Sequence, residues 1–326
     1  LTKKEIKSFF TLVAAAYEWI KDRLNRGELV LLDGGIGTEI LRRGARWRQH
    51  GMRTDADTVR AVHEDYVEAG ADVVTTNTFQ LTRRTYLNLF HNLEHMRRIG
   101  APGLENQAAA LIEKAAALAG EAVRNAAAGR PVAIAGSISP LNHCFRPDLS
   151  PSFEEALKEH SESAGLLAKS GVDLILLETM NTVVEATAAL QAARKTDLRV
   201  WVSFVLAPGG KSILGGEPIS EAVRVAESNG AEAILLNCAP PEDITAGLKE
   251  LAGRSNLPIG AYAHIGRYDP PSWKFDFHPQ FSGMDAWPPE RYAGAAEEWR
   301  ELGALIIGGC CGTTPSHIRA VRDLLQ

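Results

Sequence analysis

Residues 173–205 read DLILLETMNTVVEATAALQAARKTDLRVWVSFV. Two apolar runs, Asp173–Glu178 and Arg199–Val205, flank a helix-forming stretch over 182–195. Neither run alternates polar with apolar residues, as a strand with one wet face would. Continuous apolar runs mark strands buried on both faces, and the stretch between has the length of a crossover helix. The segment therefore predicts a parallel strand–helix–strand unit.

The same rhythm extends in both directions. Further strand-like runs occupy Leu29–Asp33, Asp72–Thr76, Val132–Ser137, Ala233–Cys238, Pro258–Ala263 and Ala304–Gly308. Helical patterns lie near 57–69, 104–128, 152–170, 219–229, 242–253 and 289–302, and a last helix starts at Pro315 behind a Thr314 N-cap. Eight such units predict an α/β chain folded as a closed TIM (β/α)8 barrel, with an open doubly wound sheet as the alternative. The longest interruption, 264–288, is rich in Pro, Gly and aromatic residues and is expected to form a structured loop over the barrel mouth.

The chain has 326 residues, 45% hydrophobic and 23% charged, with a net charge of −5, so one barrel accounts for the length and no basic footprint for nucleic acid is present. No apolar run is long enough for a transmembrane helix, so no membrane partner is expected. The apolar residues Ile6, Phe9, Phe10, Val13, Tyr17, Ile20 and Leu24 recur at helical spacing, and no clear small-residue cleavage site follows. Residues 1–27 are thus read as an N-terminal helix packed at the end of a barrel over 28–326. Four cysteines without even spacing argue against a secreted disulfide scaffold and for metal or catalytic use in a reducing, cytoplasmic setting.

Catalytic groups of parallel barrels sit at the C-terminal ends of strands. Those ends supply Asp33-Gly34-Gly35, Thr75-Thr76-Asn77, Gly136-Ser137, Glu178-Thr179, Asn237-Cys238 and Gly308-Gly309-Cys310-Cys311-Gly312. A Cys-Cys pair alone reads as two small buried hydrophobes. A third cysteine on a strand two places away points instead to a catalytic Zn²⁺ with three thiolates and an open position. Cys144 reads as an ordinary loop cysteine. Asp33, Gly34 and Gly35 form either a tight turn or a cradle for an amino acid, the glycine amides on its carboxylate and Asp33 on its ammonium. Glu178 is either in a barrel-end salt bridge or facing a cationic substrate group. Thr76 and Asn77 satisfy backbone or, for Asn77, face substrate, and Asn237 is a candidate donor to a ligand sulfur. His264, His278 and His317 are expected at the surface or in loops.

These segments together resemble the homocysteine S-methyltransferase family. The matching pieces are residues 31–39, LLDGGIGTE; Glu68–Asp72 with Thr76–Phe79; Leu177-Glu178-Thr179; Leu236-Asn237-Cys238; and residues 308–315, GGCCGTTP. The resemblance covers about 28–326 and implies a TIM barrel. It also implies zinc on Cys238, Cys310 and Cys311, and homocysteine held by Asp33, the Gly34 and Gly35 amides and Glu178. The chain departs from the family after the seventh strand, where Tyr262-Ala263-His264-Ile265-Gly266 replaces a Pro-Asn-Ala/Ser-Gly segment. The following loop carries Tyr268, Trp273, Phe275, Phe277, Phe281 and Trp287, which read equally as a cation–π site or a small satellite core.

The expected activity is zinc-dependent methyl transfer from a small cationic donor to homocysteine, giving methionine. S-Methylmethionine, S-adenosylmethionine or a betaine-like compound would serve, since one barrel leaves no room for folate or cobalamin domains. The rivals are a methyltransferase for another thiol or a selenol such as selenocysteine, a homocysteine module served by a separate corrinoid protein, and a zinc-holding or redox-sensing barrel without turnover.

Overall fold

The computed structural model describes residues 16–45, 48–85, 106–269 and 280–326, with isolated positions 94 and 103. The strands in chain order are β1 (Val30–Leu31), β2 (Val73–Thr75), β3 (Ala133–Ile138), β4 (Leu174–Met180), β5 (Arg199–Val205), β6 (Ala233–Asn237), β7 (Ile259–Tyr262), β8 (Arg267–Asp269), β9 (Gln280–Ser282) and β10 (Ala304–Ile307). Eight of them pair in parallel in the order β1-β10-β7-β6-β5-β4-β3-β2. A parallel bridge between Leu32 and Val73 joins the two ends, and the Asp33 amide donates to the Val73 carbonyl at 3.0 Å. The sheet is therefore a closed barrel, which removes both edges and excludes the open-sheet alternative.

Helices surround it: α1 (16–25), α2 (Ile36–Arg42), α3 (Ala56–Ala69), α4 (Ala108–Ala126), α5 (Phe153–Lys169), α6 (Val183–Ala193), α7 (Ile219–Ser228), α8 (Pro241–Leu251), α9 (Pro289–Glu301) and α10 (Pro315–Leu325). α2 is an addition to the sequence expectation; Ile36 and Ile40 bury one side of its two turns. α10 starts at Pro315 behind Thr314, as expected, and the Thr314 amide donates to Nδ1 of His317 at 3.2 Å. Among the described residues, no helix is long and apolar enough to cross a membrane.

The period of two along each strand divides the side chains between an outer layer under the helices and the barrel interior. Val30, Leu32, Val73, Ala133, Ala135, Leu174, Leu176, Trp201, Ala233, Leu235 and Ile306 fill the interior, and Ala16, Tyr17, Ile20 and Leu24 of α1 pack into the same cluster. The described part of the N-terminal helix thus plugs the lower end of the barrel; residues 1–15 lie outside the described residues. Tyr17 donates to Glu232 at 2.8 Å and accepts from Nε1 of Trp201 at 3.2 Å, while Arg23 pairs with Asp72 at 2.9 Å. Toward the C-terminal ends the same interior rows turn polar: Thr75 follows Val73, Ser137 follows Ala135, Glu178 follows Leu176, Ser203 follows Trp201 and Asn237 follows Leu235. An apolar floor with a polar upper layer places the chemistry at one mouth.

Candidate active site at the barrel mouth

Gly308-Gly309-Cys310-Cys311-Gly312 leaves β10 as a loop pinned to its neighbours. The Gly309 amide donates to the Asp33 carbonyl at 2.9 Å and the Cys310 amide to the Ala263 carbonyl at 2.8 Å. Thr313 is the bolt. Its Oγ1 donates to the Cys310 carbonyl at 2.7 Å and accepts from the Gly35 amide at 3.1 Å, while Tyr66 donates to its carbonyl at 2.9 Å. The loops come so close that a Cβ on Gly35 would lie 2.6 Å from the Cys310 carbonyl oxygen, and one on Gly309 2.2 Å from Thr313 Oγ1. The glycines of both motifs are thus required by packing.

Cys238 enters from β6 with φ at 50°, a left-handed backbone unusual outside glycine. Its amide donates to the Tyr262 carbonyl at 3.2 Å. One ligand atom from each of Cys238, Cys310 and Cys311 lies within 4.8 Å of the others. Three sulfurs on a tetrahedral Zn²⁺ at ~2.3 Å would stand roughly 3.8 Å apart, so the cluster fits such an ion with only small adjustment. The thiols perturb one another. Hydrogen bonds from Cys238 and Cys310 pull Cys311 down to about 5, and sharing with the other two sulfurs pushes Cys238 up.

The cysteines line a cavity of about 700 Å³, counting its open mouth, with Asp33, Gly34, Gly35, Asn77, Glu178 and Tyr262. Asp33 accepts from the Thr75 amide at 2.6 Å and from Thr75 Oγ1 at 3.0 Å. Burial raises its pKa well above the usual range against those bonds, and the Glu178 charge adds to the rise. Loss of water likewise pushes Glu178 up to about 7, with a hydrogen bond from Ser137 pulling it back. Asn77 is fixed by donating to the His50 carbonyl at 2.8 Å. Two carboxylates that both resist ionisation in one cavity invite a cationic partner.

Several sequence expectations change here. Gly35 already spends its amide on Thr313, so only the Gly34 amide, of the two, is without a described partner. Asn237 bonds Thr179 and Ser203 rather than a cysteine sulfur. His264 lies in the loop after β7, as expected, but is buried, its ring packed on Phe281 with centroids 4.7 Å apart; His317 is instead buried on α10, its Nε2 2.9 Å from the Trp287 carbonyl. His278 lies outside the described residues. Cys144, read as an unremarkable loop residue, is wholly buried and lines the same cavity, although it is outside the three-sulfur cluster.

The 264–288 segment contains the antiparallel pair β8–β9 and a short turn of helix over Met284–Ala286. Tyr268 stacks on Phe145 at 4.3 Å and lies 5.9 Å from Phe281, so these rings join the loop after β3 to the loop after β7. Trp287 is instead covered by the Arg291 guanidinium at 4.0 Å. Trp273, Phe275 and Phe277 lie outside the described residues.

Sequence reasoning passed over Tyr66 and gave no role to Thr75 and Ser137 at their strand ends, to Thr313 within the cysteine motif or to Tyr262 after the seventh strand. The Thr-Thr-Pro end of the cysteine motif was the available signal for Thr313. The others are ordinary residues whose importance lies in what they face.

A (β/α)8 barrel carrying three converging thiols and two protonation-prone carboxylates at its C-terminal mouth defines the class of enzyme in question. Residues 30–325 match the homocysteine S-methyltransferase family, and the chain belongs to it. The Escherichia coli homocysteine S-methyltransferase is 30% identical over 319 residues, covering 92% of this chain and 96% of that one. A selenocysteine Se-methyltransferase of Brassica oleracea var. italica is 27% identical over 317 residues, covering 92% and 89%. Among solved structures, the metallated form of the E. coli homocysteine methyltransferase MmuM superposes with a TM-score of 0.75 at 26% identity, covering 93% of this chain and 99% of that one.

Proposed function

We propose that the protein transfers a methyl group from a small cationic donor to the thiol of homocysteine, giving methionine, with Zn²⁺ held by Cys238, Cys310 and Cys311. The observation that carries this reading is the three-sulfur cluster opening onto a cavity that also holds Asp33 and Glu178. When bound, Zn²⁺ supplies a Lewis acid that makes the acceptor thiol a thiolate at neutral pH, where a free thiol is mostly protonated. The three cysteine sulfurs leave the site with surplus negative charge, which keeps an acceptor sulfur electron-rich and draws in a positive donor. Asp33 and Glu178 receive the acceptor's ammonium, which restores their ionised forms. Gly34 offers its amide to the carboxylate.

The donor approaches from above, where Phe145, Tyr268 and Phe281 form an apolar, aromatic rim that limits water. S-Methylmethionine, S-adenosylmethionine and betaine-like compounds all meet the charge requirement. A panel of these donors with homocysteine, read out as methionine formed, tests the reading. Turnover with any of them and no corrinoid supports it, and activity confined to methylcobalamin or a corrinoid protein overturns it.

A second reading, a selenol as the acceptor, is favoured by one observation, the likeness to the Brassica selenocysteine Se-methyltransferase. Selenocysteine carries the same ammonium and carboxylate one carbon closer to the nucleophile. Competition between homocysteine and selenocysteine for one donor separates the two.

A further inference from the structure

Tyr262 ends β7, the strand between the two that carry the cysteines. It stands in register with Asn237 of β6, whose side chain reaches into the barrel to Thr179 and Ser203. Tyr262 faces the same way: it packs in the interior cluster and lines the cavity with Glu178, Cys238 and Cys310. The residue is only 4% exposed, yet its hydroxyl completes no hydrogen bond among the described residues, although Ser203 stands near enough to lower its pKa. Ser203, a polar neighbour on β5, already donates its proton to Asn237 at 2.8 Å. Other polar side chains of this layer are committed, Thr75 to Asp33, Ser137 to Glu178 and Asn237 to Thr179. A buried hydroxyl left without a partner carries a desolvation cost, and such exceptions call for a ligand or an ordered water.

We propose that the Tyr262 hydroxyl is the third polar contact to the amino-acid head of the acceptor, beside Asp33 and Glu178, and that it makes the site select amino-acid thiols over simple thiols. The proposal rests on the acceptor assignment above and adds a specificity-determining residue to it. An ammonium group has three N–H donors, and the two carboxylates supply acceptors for two. The phenolic oxygen supplies the third from the neighbouring wall of the cavity. A simple thiol has no ammonium and gains nothing from the hydroxyl.

The test is Tyr262→Phe, which removes one oxygen and keeps the ring. Because that oxygen completes no hydrogen bond among the described residues, a purely structural role predicts an unchanged or higher melting temperature and no change in ligand affinity. The proposal predicts zinc content and melting temperature close to the parent's. It also predicts that KM for homocysteine and the calorimetric Kd for methionine each rise about fivefold or more, the scale of one net hydrogen bond. Methylation of 2-mercaptoethanol by the same donor should change less than twofold. Unchanged methionine affinity in the variant overturns the proposal, as does an equal loss with both thiols, which would indicate an ordered water or a general packing role. Methionine binding needs no turnover, so a parent that binds neither amino acid overturns the acceptor assignment and this proposal with it. A parent that binds them no better than Tyr262→Phe overturns this proposal alone.

Discussion

Asn237 grips Thr179 at two points: its amide nitrogen donates to Thr179 Oγ1 at 2.8 Å, and its carbonyl oxygen accepts from the Thr179 amide at 3.2 Å. Thr179 follows Glu178 and has φ at 62°, and Cys238 follows Asn237 with φ at 50°. One side chain therefore locks two left-handed residues, Thr179 beside Glu178 and Cys238, itself a proposed zinc ligand. Such backbone costs on the order of 1–3 kcal/mol per residue and persists only where the surroundings fix it. Asn237→Ala is expected to lower metal affinity or kcat/KM by about 10–100-fold, the usual scale for residues that orient metal ligands. Chelator competition and initial rates read this. Full retention of both would mean the backbone holds its shape unaided.

The three-sulfur cluster predicts about one Zn²⁺ per chain in the purified protein. Replacing Cys238, Cys310 or Cys311 by Ala should remove most of the metal, measured by elemental analysis. Cys144→Ala should keep it, because Cys144 lines the cavity without joining the cluster. Full zinc in Cys238→Ala would end the assignment.

Glu178→Gln should raise KM for homocysteine and leave zinc in place. The amide keeps the volume but offers an ammonium no charge, and loss of a charged hydrogen bond costs about 1.5–3 kcal/mol, or roughly 10–150-fold. An unchanged KM would show that the ammonium sits elsewhere.

Trp287 is engaged by Arg291, so Trp287→Ala should lower the melting temperature and leave the donor KM nearly unchanged. Tyr268→Ala, on the rim joining the two mouth loops, should raise the donor KM more than the homocysteine KM. The reverse ordering of these variants would move the donor site away from the rim.

His63 on α3 is completely buried with neither ring nitrogen paired among the described residues, and burial lowers its pKa to about 4. In the unfolded chain it titrates near 6.5, so the unfolded state binds the extra proton between those values. Its stabilising contribution is complete above pH 6.5 and is lost as pH falls toward 4, by about 3 kcal/mol in all. His63→Leu should flatten the fall in melting temperature between pH 7 and pH 5. An identical pH dependence in the variant would assign that slope to other groups.

The barrel was legible in the chain because eight doubly buried strands leave eight apolar runs, and the cysteines stood out because they fall at strand ends. The hairpin over the mouth was not legible, since Arg267–Asp269 and Gln280–Ser282 carry no continuous apolar signal. Nor was the burial of His264 and His317 legible, since it depends on Phe281 and Trp287 of the segment that follows β7.

By itself, the sequence determined the rhythm of strand and helix, the end of the barrel at which polar residues collect and the set of sulfurs that could meet there. Only the tertiary structure decided which of those polar groups are already spent and which are open to a ligand. The Gly35 amide is taken by Thr313, 278 residues away, and Asn237 by Thr179, 58 residues away, while the Tyr262 hydroxyl completes no hydrogen bond among the described residues. Strand composition is a local property, but a hydrogen-bond partner is supplied by whichever strand barrel closure brings alongside.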